Sequence, residues 1–159
     1  SGTENTQGIS GLGLATELAY DNLAEKQLHI INLNNRLREG LMSELDDIIV
    51  NGTIDVGVDV SDYGKRFPSV LNVSFLGARG EVILHTLEQD EIFVSTGSAC
   101  SSHKNSDSHV LAAMGLGHKE IEGAIRFSIS EFNTLEEMDE VAAKVSAAVK
   151  RFRRLGSFR

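Results

Sequence analysis

Apolar residues at three- and four-residue steps open the chain: Leu12, Ala15 and Ala19, then Ile30, Leu33, Leu37 and Leu41. That spacing predicts one long helix over residues 7–46, with Gly40 as the place where it would break. A helix of this length cannot bury itself, so a second domain or subunit is expected against it. Ile48-Ile49-Val50 then reads as a short strand, ended by the turn dipeptide Asn51-Gly52. Residues 53–67 are polar and glycine-containing, which predicts a loop. After Pro68, the β-branched and partly alternating run Val70-Leu71-Asn72-Val73-Ser74-Phe75 predicts a strand. Residues 79–88 predict a short helix with Val82, Ile83 and Leu87 inward, and Ile92-Phe93-Val94 another strand.

From Ser95 to Ser108 there is almost no large apolar side chain. Nothing there can anchor to a core, so the pattern predicts a mobile loop. A helix is expected from Ser108 to Met114, stopping at Gly115. Ala124-Ile125-Arg126-Phe127-Ser128-Ile129 alternates and predicts a strand. Thr134-Leu135-Glu136-Glu137 has the form of a capping box opening a last helix, with Met138, Val141, Val145, Ala148 and Phe152 on its inner face. Short strands interleaved with helices define the expected class: α+β, a small sheet covered on one side by helices and preceded by a long helix.

The 159 residues fit one domain, and 41% hydrophobic residues suffice for one core. A net charge of −8 argues against nucleic-acid binding, which needs a basic footprint. The basic cluster Lys150, Arg151, Arg153 and Arg154 is expected to complement a helix C-terminus. No apolar run approaches the roughly 18 residues of a membrane span. The single cysteine cannot form an internal disulfide, and a cytoplasmic setting follows as an expectation. The chain opens on Ser1 inside what looks like a motif, so a piece of a longer protein is expected.

That cysteine, Cys100, lies in the polar stretch, flanked by Gly97, Ser98, Ala99, Ser101 and Ser102. Its small neighbours would give the thiol access. His103, Lys104 and His109 could raise the thiolate fraction above that of a free thiol with a pKa of about 8.5. A reactive cysteine and a small buried hydrophobe both remain open on the residues alone. Cys100-x-x-His103 also has zinc-ligand spacing, with Asp107 and His109 able to join. One thiol and scattered histidines make this the weaker reading, and no metal is expected. His29, His85 and His118 fall on expected helices or their ends, where surface or capping roles are expected.

Four segments together carry a resemblance. Val94-Ser95-Thr96-Gly97-Ser98-Ala99-Cys100 resembles the active-site cysteine segment of cysteine desulfurases, and Ser108-His109-Val110-Leu111-Ala112-Ala113-Met114-Gly115 resembles the family's segment downstream of that cysteine. Ser1-Gly2-Thr3-Glu4-Asn5 is similar to that family's segment before its long helix, and Ala124-Ile125-Arg126-Phe127-Ser128-Ile129-Ser130 to its arginine strand. They stand in the family's order and span residues 1 to 130.

The resemblance implies the small C-terminal domain of a fold-type-I, pyridoxal-phosphate-dependent transferase. Residues 1–46 would end the large domain and form the connecting helix; residues 47–159 would be the small domain with its cysteine loop at 95–108. It implies conversion of L-cysteine to L-alanine, with the sulfur taken as a persulfide on Cys100 and passed to an acceptor protein for iron–sulfur cluster assembly or tRNA or cofactor thiolation. Arg126 would hold the substrate carboxylate. Thr3 would reach the cofactor phosphate of the partner subunit in a homodimer. The lysine that holds the cofactor would lie before residue 1, leaving this chain alone inactive. Ser101-Ser102-His103-Lys104 matches the pattern around that lysine, but it directly follows the cysteine, and Lys104 reads better as a solvated loop residue. The stretch His103–Asp107 departs from a Leu-Glu-Pro version of the family's loop, which leaves the acceptor open. Selenocysteine lyase and cysteine sulfinate desulfinase use the same scaffold, and a non-catalytic interaction domain is the alternative from another class.

Overall fold

The computed structural model describes residues 2–52, 68–97 and 107–156. Helices α1 (Thr6–Tyr20) and α2 (Leu23–Glu44) lead into strand β1 (Ile48–Asn51). Then come β2 (Val70–Phe75), α3 (Gly80–Glu88), the short β3 (Ser95–Thr96), α4 (His109–Ala113), α5 (His118–Glu122), β4 (Ala124–Ser128) and α6 (Leu135–Arg154). Among the described residues the strands form one antiparallel sheet in the order β1-β2-β4-β3. This is the expected α+β class.

One face of the sheet is packed. Leu71, Val73, Phe75, Ile125 and Phe127 alternate inward and meet Leu33, Leu37 and Leu41 of α2, Ile83 and Leu87 of α3, and Met138, Val145 and Val149 of α6 in one core. Each such fully buried side chain contributes about 1.5–3 kcal/mol of transfer free energy. Among the described residues the opposite face is covered at one end, where Leu111 of α4 and Ile121 of α5 pack on Ala124.

The predicted long helix is two helices, and the break is not at Gly40. It falls at Asn22, whose φ of 53° lies in the left-handed region that asparagine tolerates. Lys26 Nζ donates to the Leu18 carbonyl across the junction, at 2.7 Å. Gly40 stays helical because α6 crosses there: a Cβ on it would meet Ala142 Cβ at 2.8 Å. The two helices differ in burial. Helix α2 buries Ile30, Leu33, Leu37 and Leu41, whereas α1 buries nothing and leaves Ile9, Leu12, Leu14 and Leu18 exposed.

Other expectations need correction. Ile92-Phe93-Val94 is not a strand; Glu91 takes a positive φ of 58°, and pairing starts only at Ser95. Ile92 and Val94 pack on the core rim instead. Val82 is on the outer side of α3 while Gly80, Ile83 and Leu87 are buried. In α6, Met138, Val145 and Ala148 are buried as expected, joined by Ala142, Ser146 and Val149, while Val141 and Phe152 sit at the edge. The basic cluster does fall in the last turn of α6, where Arg154 donates to the Lys150 carbonyl, while Arg153 donates instead to the carbonyls of Leu76, Asp46 and Asp47, tying α6 to the one end of the β1–β2 pair where β1 starts and β2 stops. Lys150 pairs with Glu44 of α2.

The capping box forms as expected. Thr134 Oγ1 accepts from the Glu137 amide and Glu137 accepts from the Thr134 amide. Bonds from the Asn133 side chain and the Thr134 amide hold the Glu137 carboxyl below its ordinary value. Gly123 joins α5 to β4 under tight constraint. A Cβ there would lie 2.5 Å from the Phe75 carbonyl oxygen, and the Phe75 amide donates to the Gly123 carbonyl. Gly123→Ala is therefore expected to destabilise the protein by about 1–3 kcal/mol, read as a lower midpoint in denaturant unfolding.

Candidate active site

The half-open face of the sheet carries a row of polar side chains. In register across all four strands stand Asn51, Asn72, Arg126 and Ser95. The alternation of β4 explains the position of Arg126. Ile125 and Phe127 are driven into the core, so Arg126 and Ser128 face the other way and are exposed. Helices α4 and α5 cover the Ala124 end of β4 and stop short of Arg126. Among the described residues Arg126 has no hydrogen bond or ion pair. The interaction-domain alternative expected this arginine in a surface salt bridge, and none is formed with the described residues.

Beside Arg126, Asn51 Nδ2 donates to Asn72 Oδ1 at 2.6 Å and to Ser74 Oγ at 2.7 Å. These three polar residues were not anticipated as a group. The signal was present as polar side chains at positions 72 and 74 of an otherwise apolar strand.

Cys100, His103 and Lys104 lie outside the described residues, as does most of the 95–108 stretch. The two ends of that stretch are described, and they meet. Ser95 and Thr96 pair with Arg126 and Ile125, and a Cβ on Gly97 would lie 2.8 Å from Ser108 Cβ. Ser108 caps α4 by accepting from the Leu111 amide. Asp107 pairs with His118 at the start of α5, at 2.7 Å. The described ends of the segment carrying Cys100 thus meet next to β3, whose Ser95 pairs with Arg126.

Thr3 is exposed, ahead of α1. It is not the helix cap: Asn5 is, its side chain accepting from the Gly8 amide at 3.0 Å. The Thr3 hydroxyl has no partner among the described residues. A lysine placed to hold a cofactor aldehyde is absent from the described residues. Lys26 is bound to the Leu18 carbonyl, Lys144 to Asp90 and Lys150 to Glu44, and Lys119 lies exposed on α5.

Of the histidines, His29 bonds the Asn133 carbonyl, His85 pairs with Glu88 and His118 with Asp107, all fold contacts. Among the described residues no three metal-ligating side chains are grouped to hold an ion. A groove of about 730 Å³ between α2 and α6 lies across the core from Arg126, floored by Gly40, Ala142 and Ser146. It brings together no nucleophile and no free cation next to the polar row.

Fold and site together define an α+β domain with one helix-covered sheet face and one cationic, polar face. The family model for class-V aminotransferases matches residues 1–141, and the chain belongs to that family. Within it, the chain is similar to the cysteine desulfurase IscS of Clostridium botulinum strain Hall, at 39% identity over 96% of this chain and 37% of the relative. It is likewise similar to a cysteine desulfurase of Nostoc, at 36% identity over 100% of this chain and 38% of the relative. Among solved structures it resembles a NifS-like protein with a TM-score of 0.74 and 31% identity, covering 95% of this chain and 35% of that one. A NifS-like protein from Rickettsia africae gives 0.72 and 27%, covering 94% and 36%. The chain spans little more than a third of the length of these relatives.

Proposed function

We propose that the chain works as the C-terminal part of a pyridoxal-phosphate-dependent cysteine desulfurase, which converts L-cysteine to L-alanine and passes the sulfur to an acceptor protein. One observation carries the reading: an exposed arginine with no partner among the described residues, in register with the strand that leads directly into the cysteine segment.

The chain's own residues would act as follows. Arg126 binds the substrate carboxylate with two parallel N–H donors and so fixes the orientation of the amino acid. The Cys100 thiolate attacks the substrate sulfur. A sulfur–sulfur bond forms as the carbon–sulfur bond breaks, and the electron pair stays on the substrate carbon, which takes a proton and leaves as alanine. Pyridoxal phosphate, when bound, supplies the electron sink for that carbon. Cys100 then holds the persulfide, whose outer sulfur passes to the acceptor's thiol. One sulfur must serve both the buried reaction centre and an outside partner, which favours a segment without large apolar anchors, as the 95–108 stretch is.

The division at residues 1–46 and 47–159 remains part of the proposal, but α2 packs in the core of the small domain, which leaves α1 as the part that docks elsewhere. Its exposed Leu12, Leu14 and Leu18 agree with a covering surface in the longer protein. Thr3 is assigned to the cofactor phosphate of the partner subunit, which makes the working form a homodimer. Lys104 is assigned no cofactor role. A cytoplasmic site and delivery to iron–sulfur cluster assembly or tRNA thiolation complete the proposal.

The test is turnover by the full-length protein loaded with pyridoxal phosphate. L-cysteine should yield alanine and sulfide in equal amounts under reducing conditions, faster than selenocysteine yields selenide or cysteine sulfinate yields sulfite. Preference for either of the other two substrates would move the assignment to the corresponding lyase or desulfinase, and no turnover of any would refute it.

A further inference from the structure

We propose that Asn72 is a second carboxylate-binding residue beside Arg126, held in orientation by Asn51. The proposal rests on the desulfurase reading for the identity of its ligand, and on the sheet for its geometry. Asn72 and Arg126 are direct register partners on β2 and β4. Side chains so paired leave the same face with Cβ atoms about 5 Å apart, close enough for both to contact one carboxylate.

The amide of Asn72 is not free to turn. Its Oδ1 accepts from Asn51 Nδ2 at 2.6 Å, and the same Nδ2 reaches Ser74 Oγ at 2.7 Å. Ser74 is completely buried, which fixes the anchor of this pair. With Oδ1 committed to β1, the trigonal geometry of the amide turns Nδ2 away from β1. That nitrogen has no partner among the described residues.

Exchanging oxygen and nitrogen in both amides is the alternative assignment. It would replace a buried acceptor now without a partner, Asn51 Oδ1, by a buried NH2 with two unmet donors, a costlier arrangement. The orientation that presents Asn72 as a donor is therefore favoured. A carboxylate offers about four lone-pair sites. The Arg126 fork fills two, and Asn72 Nδ2 is placed to fill a third. Ser95, on the other flank of Arg126, completes the row.

The experiment uses the full-length, cofactor-loaded protein and compares Asn72→Ala with Asn72→Asp. The aspartate keeps the acceptor that Asn51 needs, so the fold is retained, but it places a fixed anion beside Arg126. For L-cysteine, KM should rise about 10-fold in Asn72→Ala and roughly 100-fold in Asn72→Asp, with kcat changing less than KM. Cysteamine, which lacks the carboxylate, serves as a competitive probe; its inhibition constant should not weaken in either variant. That contrast separates ligand binding from a structural role, as does an unchanged melting temperature for Asn72→Asp. Unchanged KM in both variants, or equal weakening of L-cysteine and cysteamine, overturns the proposal. If Arg126→Leu raises KM while the Asn72 variants do not, only the role of Asn72 fails. If Arg126→Leu also leaves KM unchanged, the desulfurase reading of the site fails with it.

Discussion

Arg126→Leu in the full-length protein is expected to lower kcat/KM for L-cysteine by a factor of roughly 30 to several thousand. That range corresponds to the loss of about 2–5 kcal/mol when one partner of a close charge pair is truncated. The larger part should appear in KM, because the proposed role of the guanidinium is to hold a carboxylate that does not react. Folding should be little affected, since Arg126 is exposed and unpaired among the described residues, and its removal leaves no orphaned partner among them. Arg126→Lys should recover only part of the loss, because an ammonium keeps the charge but not the planar fork. A wild-type kcat/KM in Arg126→Leu would remove the carboxylate role.

Cys100→Ser is expected to abolish desulfuration, lowering kcat by about 10³-fold or more. A serine hydroxyl is a far weaker nucleophile towards sulfur at neutral pH, and no other thiol exists in the chain to replace it. Substrate binding should persist, because Arg126 and Asn72 are untouched. The signature is a loss in kcat with KM little changed, opposite to that of Arg126→Leu. The two variants together separate the proposed substrate-holding group from the proposed reacting group.

Arg126 was legible in the sequence because a strand that alternates Ile125-Arg126-Phe127 must send its arginine away from the core. The capping box at Thr134 and the core stripes of α2 and α6 were legible for the same reason: each is a local pattern with one local cause. What failed depended on distant partners. Gly40 marks a break by intrinsic propensity, yet Ala142 on α6 needs that glycine for close approach, so the helix runs through it. Asn22 breaks the helix instead, through a backbone state no periodicity reports. Helix α5, at five residues, is too short to display a helical period. Ile92-Phe93-Val94 had strand composition, but pairing with β4 begins at Ser95, just where the apolar run ends. The polar row was hidden for a related reason. Asn51, Asn72, Arg126 and Ser95 come from four segments, and only the strand order and register bring them together.

The central claim is that substrate sulfur is carried on Cys100. Mixing the full-length, cofactor-loaded protein with L-cysteine in the absence of reductant, then alkylating and measuring peptide masses, tests it most directly. The peptide containing Cys100 should gain the mass of one sulfur atom beneath the alkyl group, and lose it on treatment with dithiothreitol. An unmodified Cys100 peptide, recovered while alanine accumulates, would contradict the account.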